Sequence, residues 1–368
     1  MRILLLGDYS NVHATLARAL QKLGHEVVLA SDGDGWKNYP RDIDLKRKSK
    51  RMFYSIGYYF RIWWQLCRFR DFDVVQLINP VFLPLKAERH WLFFKMLRRR
   101  NKKIFMGAFG MDYYWVKTAS DCKTFRYSDF NMGSQLRRRA DNDIWVTDWL
   151  LGPKGELNRR VAAACDGIVA GLYEYYESYL HDWAPKLAFI PFPIIPAEVD
   201  ESVLNRPVDK VRFFIGIQKR RSSYKGTDIM LRALQRCVTA LGEHSEMVVV
   251  ESVPFSEYRR LMRGCDVLLD QLYSYTPAMN ALEAMSQGLV VVGGGEPEGY
   301  DILGEHELRP IVNVLPNEDD VYEKLCWIVE HRSELPRMKR QSMEYVRRHH
   351  EYLKVAQRYL DFWRERGK

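Results

Sequence analysis

The sequence lacks the features that mark disulfide-rich, metal-bound and membrane-spanning proteins. Its six cysteines stand singly and form no C-x-x-C pair, which argues against zinc and iron–sulfur sites and suits a reducing compartment. No apolar run approaches the about 18–20 residues that a membrane-spanning helix needs. The short apolar run that ends at Gly7 resembles a buried strand rather than a signal peptide. We therefore expect a cytoplasmic protein.

Two ligand-binding motifs are missing as well. The first strand is followed by no G-x-G-x-x-G, so the sequence does not indicate dinucleotide binding. No Asp-x-Asp motif lies in a loop suited to a metal-bound donor. The net charge of +9 suggests an anionic partner, which could be a membrane surface, a nucleic acid or a phosphate-bearing substrate. RNP, KH and zinc-finger patterns are absent, so we expect no nucleic acid.

Strand-like apolar runs alternate with helix-like stretches along the chain. The first thirty residues follow a β–loop–α–β pattern, and the alternation restarts at Val211–Ile217 after the proline-rich segment Ile190–Pro196. A chain of 368 residues exceeds one ordinary core of about 100–200 residues. We therefore predict an α/β fold with two Rossmann-like domains, 1–195 and 196–349, each with a parallel sheet. A terminal helix at 350–368 is expected to pack across their boundary.

The stretch from Thr276 to Gly288 is the most informative part of the chain. Thr276 suits an N-cap and Pro277 the first helical position, which predicts a helix at 278–287. The backbone N–H groups at the start of such a helix can bind phosphate. These groups belong to Ala278, Met279 and Asn280. Glu283 lies close enough along the same helix for its carboxylate to accept hydrogen bonds from a ribose diol.

Glu283-Ala284-Met285, followed by Gly288 and an apolar strand, resembles the nucleotide-binding signature of retaining GT-B glycosyltransferases of the GT4-like group. That family has two glutamates eight positions apart. The second holds the donor ribose, and the first helps to hold the transferred sugar. Glu283 matches the second glutamate, whereas Tyr275 stands at the position of the first. The resemblance therefore places Glu283 and Tyr275 in the donor site and leaves the donor sugar open.

A second stretch, Phe213 to Gly226, resembles the family's strand, basic loop and Lys-Gly motif. The family carries an arginine six positions before the lysine, and here Lys219 takes that position with Arg220 beside it. Fixed cations stabilise a departing nucleoside diphosphate without a metal. The resemblance implies that Lys225, together with Lys219 or Arg220, is catalytic and that no cofactor or metal is needed.

Together the motifs imply a glycosyltransferase of the hexosyltransferase type, retaining and metal-independent, with two domains that face each other across a cleft. It would move a sugar from a nucleotide sugar to a glycan or a lipid-linked acceptor, in cell-envelope polysaccharide synthesis. Two alternatives stay open. One is a GT-B-fold epimerase or phosphorylase, and the other is a non-catalytic scaffold that binds nucleotide sugar, membrane or RNA.

Three further loops are candidate sites, each with a structural alternative. The loop after the first strand could contact acceptor or phosphate, or could simply cap a helix. Asp112 could orient sugar hydroxyls or assist proton transfer, or could cap a turn. A glycine-rich loop after the strand at 289–292 could approach the donor closely, or could simply end the strand. The loop residues singled out are Gly7, Asn11, His13 and Gly110 for the first two loops, and Gly294 and Gly295 for the third.

A basic and aromatic segment lies in the N-terminal half. Residues 46–70 contain eight Lys or Arg and no Asp or Glu, interleaved with eight aromatic residues, and residues 95–103 add six more basic residues. Such a helix suits anionic lipid headgroups, although an ordinary solvated helix face has the same pattern. We expect peripheral attachment to the inner face of a membrane.

Overall fold

We analysed a computed structural model of the chain. The structure describes residues 1–35, 37–49, 51–200, 204–205, 207–218, 222–251, 253 and 255–366. The chain forms two compact units. Unit 1 comprises residues 1–121, 138–193 and 352–368, and unit 2 comprises residues 122–137 and 194–351. The sequence places the boundary between the two domains at 195, two residues beyond this division, and assigns 122–137 to the first domain. In the structure that segment belongs to unit 2.

Fourteen strands are present in the described residues. They are β1 Arg2–Leu6, β2 Glu26–Ser31, β3 Ile43–Asp44, β4 Val74–Leu77, β5 Lys103–Ala108, β6 Asn131–Met132, β7 Gln135–Leu136, β8 Gly167–Ala170, β9 Leu187–Phe189, β10 Val211–Ile217, β11 Ser245–Glu251, β12 Val267–Leu269, β13 Val290–Gly293 and β14 Val312–Asn313.

Fifteen α-helices accompany them in the same residues. They are α1 Val12–Lys22, α2 Met52–Arg68, α3 Ala87–Arg100, α4 Tyr113–Ala119, α5 Ala140–Val146, α6 Pro153–Ala164, α7 Tyr173–Trp183, α8 Ser222–Lys225, α9 Thr227–Ala240, α10 Phe255–Met262, α11 Met279–Ser286, α12 Pro297–Asp301, α13 Glu318–Glu330, α14 Leu335–His349 and α15 Tyr352–Glu365.

Unit 1 is built on a seven-stranded sheet in the order β3-β2-β1-β4-β5-β8-β9, with every pair parallel. Its central strands are mostly apolar, as expected for a sheet covered on both faces, with the buried Gln76 in β4 as a polar exception. The terminal helix α15 packs on α1 in this unit. Trp363 of α15 is fully buried, and its indole Nε1 donates to Gln76 Oε1 at 3.3 Å. The last helix therefore completes the unit that begins the chain.

Unit 2 is built on a five-stranded parallel sheet in the order β11-β10-β12-β13-β14. Numbered within the unit, this order is 2-1-3-4-5, a doubly wound arrangement. Its core comprises residues of β10, β12 and β13 together with apolar faces of α9 and α13. The predicted fold class, two Rossmann-like α/β domains with parallel sheets, is confirmed.

The second unit also includes a segment that precedes it by more than fifty residues in the chain. Residues 122–137 carry the short antiparallel hairpin β6–β7 and pack with residues 194–351. We call this segment the strap. The chain leaves unit 1 after Asp121, forms the strap and returns to unit 1 at Arg138.

Candidate functional site at the carboxyl edge of the unit 2 sheet

The carboxyl edge of the unit 2 sheet gathers the loops in which ligands of doubly wound sheets bind. The strand order reverses between β10 and β12, because β11 lies on one side of β10 and the later strands lie on the other. Ligands of such sheets bind outside the carboxyl ends of the strands at this switch point. The loops after β10 and β12 are joined by Leu272 N–H, which donates to Lys225 O at 3.0 Å. The loops after β12 and β13 are joined by Glu296 N–H, which donates to Tyr275 O at 3.1 Å. Three loops therefore form one surface.

Two glycines allow these loops to approach each other. Gly226 has a φ of 75°, and a Cβ there would lie 2.6 Å from the Leu272 Cβ. A Cβ at Gly294 would lie 2.2 Å from Ser274 O. Any larger residue would push the loops apart. Gly294 was predicted to lie beside the donor, and the structure gives it this packing role at the same edge.

Lys225 ends the single turn α8 in the loop after β10 and is half-buried. It interacts electrostatically with Asp270, which directly follows β12. Burial raises the pKa of Asp270, and the nearby charge of Lys225 opposes that rise. The Asn280 side chain donates to Asp270 Oδ1 at 2.8 Å. Three of the sheet's loops and helices thus bring a cation, a carboxylate and an amide together.

The other two predicted cations cannot be placed. Lys219 and Arg220 lie outside the described residues.

Helix α11 begins later than the sequence predicts. Its first residue is Met279, and Ala278 is the N-cap with extended backbone, so the expected cap at Thr276 is wrong. Thr276 is buried in the preceding loop, where its Cγ2 lies 2.6 Å from the position of a Cβ on Gly299. Packing against α12 therefore takes the threonine away from the helix end. The N–H groups of the first turn accordingly start at Met279 rather than at Ala278.

Glu283 is held in place by two neighbours. Its Oε1 lies 2.7 Å from Arg259 Nε and accepts a hydrogen bond from Gln287 Nε2 at 3.0 Å. Its side chain keeps 20% of its surface exposed. The ribose role stays a prediction, and the carboxylate is already oriented by α10 and by the next turn of α11. Sequence analysis missed Arg259, because only the fold brings α10 beside α11.

Tyr275 anchors the strap. Its ring is buried, and its hydroxyl accepts the backbone N–H of Arg126 at 2.8 Å. The rings of Phe125 and Tyr127 lie 5.6 and 5.0 Å from it, and the Arg126 guanidinium lies 4.9 Å from its centroid. The position of the family's first glutamate is thus occupied by an aromatic contact with the strap.

Glu296 is a buried carboxylate beside this contact. It is 6% exposed, and its Oε2 accepts from Arg126 Nη2 at 2.8 Å. Its Oε1 accepts from Asn313 Nδ2 at 3.0 Å and from the Tyr127 hydroxyl. Asn313 also accepts the Gly295 N–H at 2.9 Å, which fixes the predicted glycine loop. A buried carboxylate needs such donors to offset its desolvation.

The predicted loop in unit 1 is tightly packed. Gly7 has a φ of 83° and lies against Ile78, where a Cβ would clash at 2.2 Å. Asn11 precedes α1, but its side chain donates to Thr15 Oγ1 at 3.2 Å instead of capping the helix. His13 is fully buried with Nδ1 2.7 Å from Gly7 O, and burial lowers its pKa to about 4. His13 is therefore neutral and enclosed, and the phosphate or acceptor role of this loop stays a prediction.

Asp112 has the capping role that was its structural alternative. It is fully buried, caps α4 by accepting Trp115 N–H at 2.9 Å, and accepts the Tyr179 hydroxyl at 2.8 Å. Burial raises its pKa to about 7. Gly110 lies next to Tyr9, 3.4 Å from where its Cβ would be. Both carboxylate oxygens therefore serve the fold, and a catalytic role for Asp112 stays a prediction.

No protein-family model and no curated protein sequence matches the chain. Solved structures match it over almost its whole length. HepE from Anabaena in complex with UDP and glucose has a TM-score of 0.61 at 11% identity, covering 99% of this chain and 100% of that one. Sucrose-phosphate synthase from Thermosynechococcus elongatus has a TM-score of 0.61 at 13% identity, covering 99% of both chains.

A third structure is WaaG, a glycosyltransferase involved in lipopolysaccharide biosynthesis. It has a TM-score of 0.60 at 12% identity and covers 98% of this chain and 99% of that one. At such identities the likeness concerns architecture. The two parallel-sheet units therefore have the fold of the GT-B glycosyltransferases.

Proposed function

We propose that the protein is a glycosyltransferase that binds a nucleotide-sugar donor at the carboxyl edge of the unit 2 sheet. The observation that carries the proposal is the grouping of Lys225, Asp270 and Asn280 where the strand order reverses between β10 and β12. Structures with the same fold include HepE in complex with UDP-glucose, which supports a nucleotide sugar as the ligand class. Glu283, one turn further along α11, is the proposed ribose ligand.

The proposed chemistry centres on the leaving group. Breaking the glycosidic bond leaves negative charge on the nucleoside diphosphate, and a fixed ammonium group at Lys225 stabilises that charge. The first-turn N–H groups of α11 add backbone donors for the same phosphates. Asp270 and Asn280 hold these groups in register. This machinery is proposed to work without a metal, and the retaining outcome is proposed from the family resemblance.

A membrane-facing surface is proposed for unit 1. Helix α2 exposes Ile56, Phe60 and Trp64 at 52%, 66% and 58% of their surface. The Arg68 guanidinium lies 4.6 Å from the centre of the Trp64 ring. Aromatic groups flanked by cations suit the headgroup region of an anionic bilayer. No helix in the described part of the chain is long and apolar enough to cross a membrane. A lipid-linked or envelope glycan is therefore the proposed acceptor class.

A ligand screen tests the proposal directly. Melting temperatures would be measured with UDP, GDP and ADP, and with the glucose and N-acetylglucosamine esters of each. A ligand at 100 times its Kd stabilises the folded state by about 2.7 kcal/mol, which gives a measurable shift. We expect one nucleoside to shift the melting temperature both as the diphosphate and as a sugar ester. If no diphosphate raises it, the donor site is wrongly assigned.

The same donor then separates the enzymatic alternatives. Its products would be analysed with and without detergent-solubilised lipid and glycan acceptors. Transfer requires the acceptor, whereas epimerisation alters the donor without one. A protein that binds the donor and alters it under neither condition is a scaffold.

A further inference from the structure

The strap lies on all three loops of the proposed donor site. Tyr224, in the loop after β10, donates from its hydroxyl to Asp129 Oδ2 at 2.6 Å. Arg137 donates to Ser223 O at 3.2 Å, and its guanidinium lies 3.3 Å from the centroid of Tyr273 in the loop after β12. These contacts add to those that Tyr275 and Glu296 make with the other end of the strap. A segment from outside the sheet thus lies along the edge where the ligand is proposed to bind.

Charge is distributed unusually along this edge. At position 275, where a carboxylate is expected from the family resemblance, a tyrosine ring carries a guanidinium above it. Arg126 is also paired with Glu296 and Glu298. A carboxylate accepts hydrogen bonds, whereas a guanidinium only donates them. The group beside the proposed sugar therefore donates hydrogen bonds here, whereas the family's glutamate accepts them.

Arg126 is fixed but not enclosed. Its ion pairs hold it on one side and the ring of Tyr275 holds it from below, yet its side chain stays 55% exposed. A guanidinium has five N–H donors. Its hydrogen bonds to Glu296 and Glu298 use three of these donors among the residues that the structure describes. Donors remain for a ligand, and the side chain is already oriented before the ligand arrives.

We infer that the strap forms the sugar-side wall of the donor site and that Arg126 donates hydrogen bonds from this wall to the transferred sugar. The inference rests on the proposed function, since it needs a nucleotide sugar in unit 2. Tyr127 and Glu296 act as positioning residues, because they orient Arg126 and the glycine loop. The strap replaces the family's first glutamate with a donor of opposite polarity, and so selects sugars by the acceptor oxygens they present.

The competing explanation is a structural clip, in which the strap only holds the three loops together. The two explanations differ in what Arg126→Ala changes. If Arg126 binds the sugar, its loss weakens binding of the nucleotide sugar and leaves binding of the nucleoside diphosphate unchanged, because the diphosphate lacks the transferred sugar. If the strap is only a clip, the same change weakens binding of both ligands equally, because the clip acts through the loops that hold the diphosphate.

Calorimetry on the full chain tests this difference. Binding of UDP, GDP and ADP and of their glucose and N-acetylglucosamine esters would be measured for wild type and for Arg126→Ala. We expect the variant to bind the diphosphate within about twofold of wild type and the preferred sugar ester about tenfold more weakly, as the loss of one charged hydrogen bond implies. Arg126→Lys should recover only part of this loss.

Two further variants keep the test decisive. Arg236→Ala is a matched control, since Arg236 is likewise exposed and bonded to two acidic residues, Glu318 and Asp319, between α9 and α13. It should leave both affinities unchanged. Tyr127→Phe removes the hydroxyl that donates to Glu296 and should weaken binding of the sugar ester alone. This variant tests the inference even if Arg126→Ala does not fold.

The inference would be overturned if all variants bound the sugar ester with equal affinity. It would also be overturned if a variant lost affinity for the diphosphate and for the ester equally. If wild type binds no diphosphate at all, the donor site itself fails. That result is visible before any strap variant is measured.

Discussion

At the scale of single residues, the site depends on buried charge. Asp270 and Glu296 are both nearly enclosed carboxylates at the carboxyl edge of one sheet. Each is matched by a nearby cation, Lys225 or Arg126, and by a side-chain amide. Burying such charges costs desolvation energy, and their hydrogen bonds fix the positions of the side chains around them.

Lys225 should act on the transition state more than on the bound donor, because the diphosphate gains charge as it leaves. Lys225→Ala is expected to lower kcat by about 100- to 1,000-fold and to weaken donor binding less. Lys225→Arg should recover part of the rate. Steady-state kinetics measures both effects, and circular dichroism checks folding. Lys324→Ala, an exposed lysine on α13, is the control. A folded Lys225→Ala protein with full kcat would remove Lys225 from the mechanism.

Glu283→Gln should weaken donor binding about tenfold or more, because an amide is a poorer acceptor for two ribose hydroxyls. The change also breaks the ion pair with Arg259. Arg259→Gln separates the two effects, since it removes the pair and leaves the carboxylate. We expect Arg259→Gln to keep donor affinity within about threefold, as a partly exposed pair contributes about 0–1 kcal/mol. Calorimetry that shows equal losses for both variants would mean that Glu283 only holds Arg259.

Asp112 makes stability depend on pH. Its pKa in the folded state is raised to about 7, mainly by burial. Its stabilising contribution is therefore complete below the unfolded-state pKa of about 3.9 and is lost as pH rises through about 7. Asp112→Asn keeps a cap acceptor for Trp115 and cannot ionise. Urea unfolding should show the variant gaining stability relative to wild type from pH 4 to pH 7. A constant difference across that range would contradict a protonated, buried Asp112.

At the scale of elements, apolar patterning identified the sheet and the helices well. The predicted strand Val211–Ile217 is observed with the same bounds, and the predicted helix at 278–287 and strand at 289–292 are observed at Met279–Ser286 and Val290–Gly293. The predicted start of α11 is wrong, because Thr276-Pro277 has every local cue of a helix cap, whereas in the structure Thr276 packs against Gly299 in the preceding loop. Local cues cannot report contacts between residues that are far apart in the chain.

The strap illustrates the same limit within the candidate site. Arg126 and Glu298 are 172 residues apart in the chain, and neither belongs to a recognisable motif. Lys225 and Glu283 could be singled out because each lies in a short motif next to its own strand or helix. A residue that reaches the site on a separate segment leaves no such local signal.

Helix α2 and the basic residues that precede it are proposed to face an anionic membrane. The protein should bind vesicles that contain anionic lipid more strongly than neutral vesicles. Salt should weaken this binding, because at about 0.1–0.15 M it screens exposed charges beyond about 8–10 Å. Changing Lys46, Arg47, Lys48 and Arg51, which directly precede α2, to Gln should reduce sedimentation with anionic vesicles. The matched control changes four exposed cations of unit 2, Arg232, Arg236, Arg260 and Lys324, and removes the same net charge. Equal loss in both quadruple variants would indicate a general charge effect and no membrane face on α2.

At the scale of the whole molecule, the two units are not consecutive halves of the chain. Unit 1 is completed by residues 352–368, and unit 2 draws on residues 122–137. The sequence predicts a boundary at 195, where prolines and a change of pattern mark the chain, and the compact units divide between Pro193 and Ile194. The extra crossings carry no such composition signal. A division by sequence alone therefore separates each unit from a part that completes it.

Removing the last helix should damage the first unit. In α15, Val355, Tyr359 and Trp363 are fully buried, and each apolar side chain contributes about 1.5–3 kcal/mol on burial. Their sum approaches the about 5–15 kcal/mol that stabilises an ordinary domain. A chain that ends at Glu351 should lose the cooperative melting of unit 1. A chain that ends at Glu365 is the control and should melt as wild type. If the melting transition of unit 1 is unchanged in the chain that ends at Glu351, then α15 is dispensable for its stability.

The path of the chain also bears on the order in which the ribosome can complete the molecule. The strap is synthesised long before Glu296, the carboxylate on which it closes, and the sheet of unit 1 is synthesised long before Trp363, which covers Gln76. Chains usually begin to fold from the N-terminal domain during synthesis, at about 5–20 residues per second. Here neither unit can finish until most of the chain has left the exit tunnel, and unit 1, which begins first, finishes last.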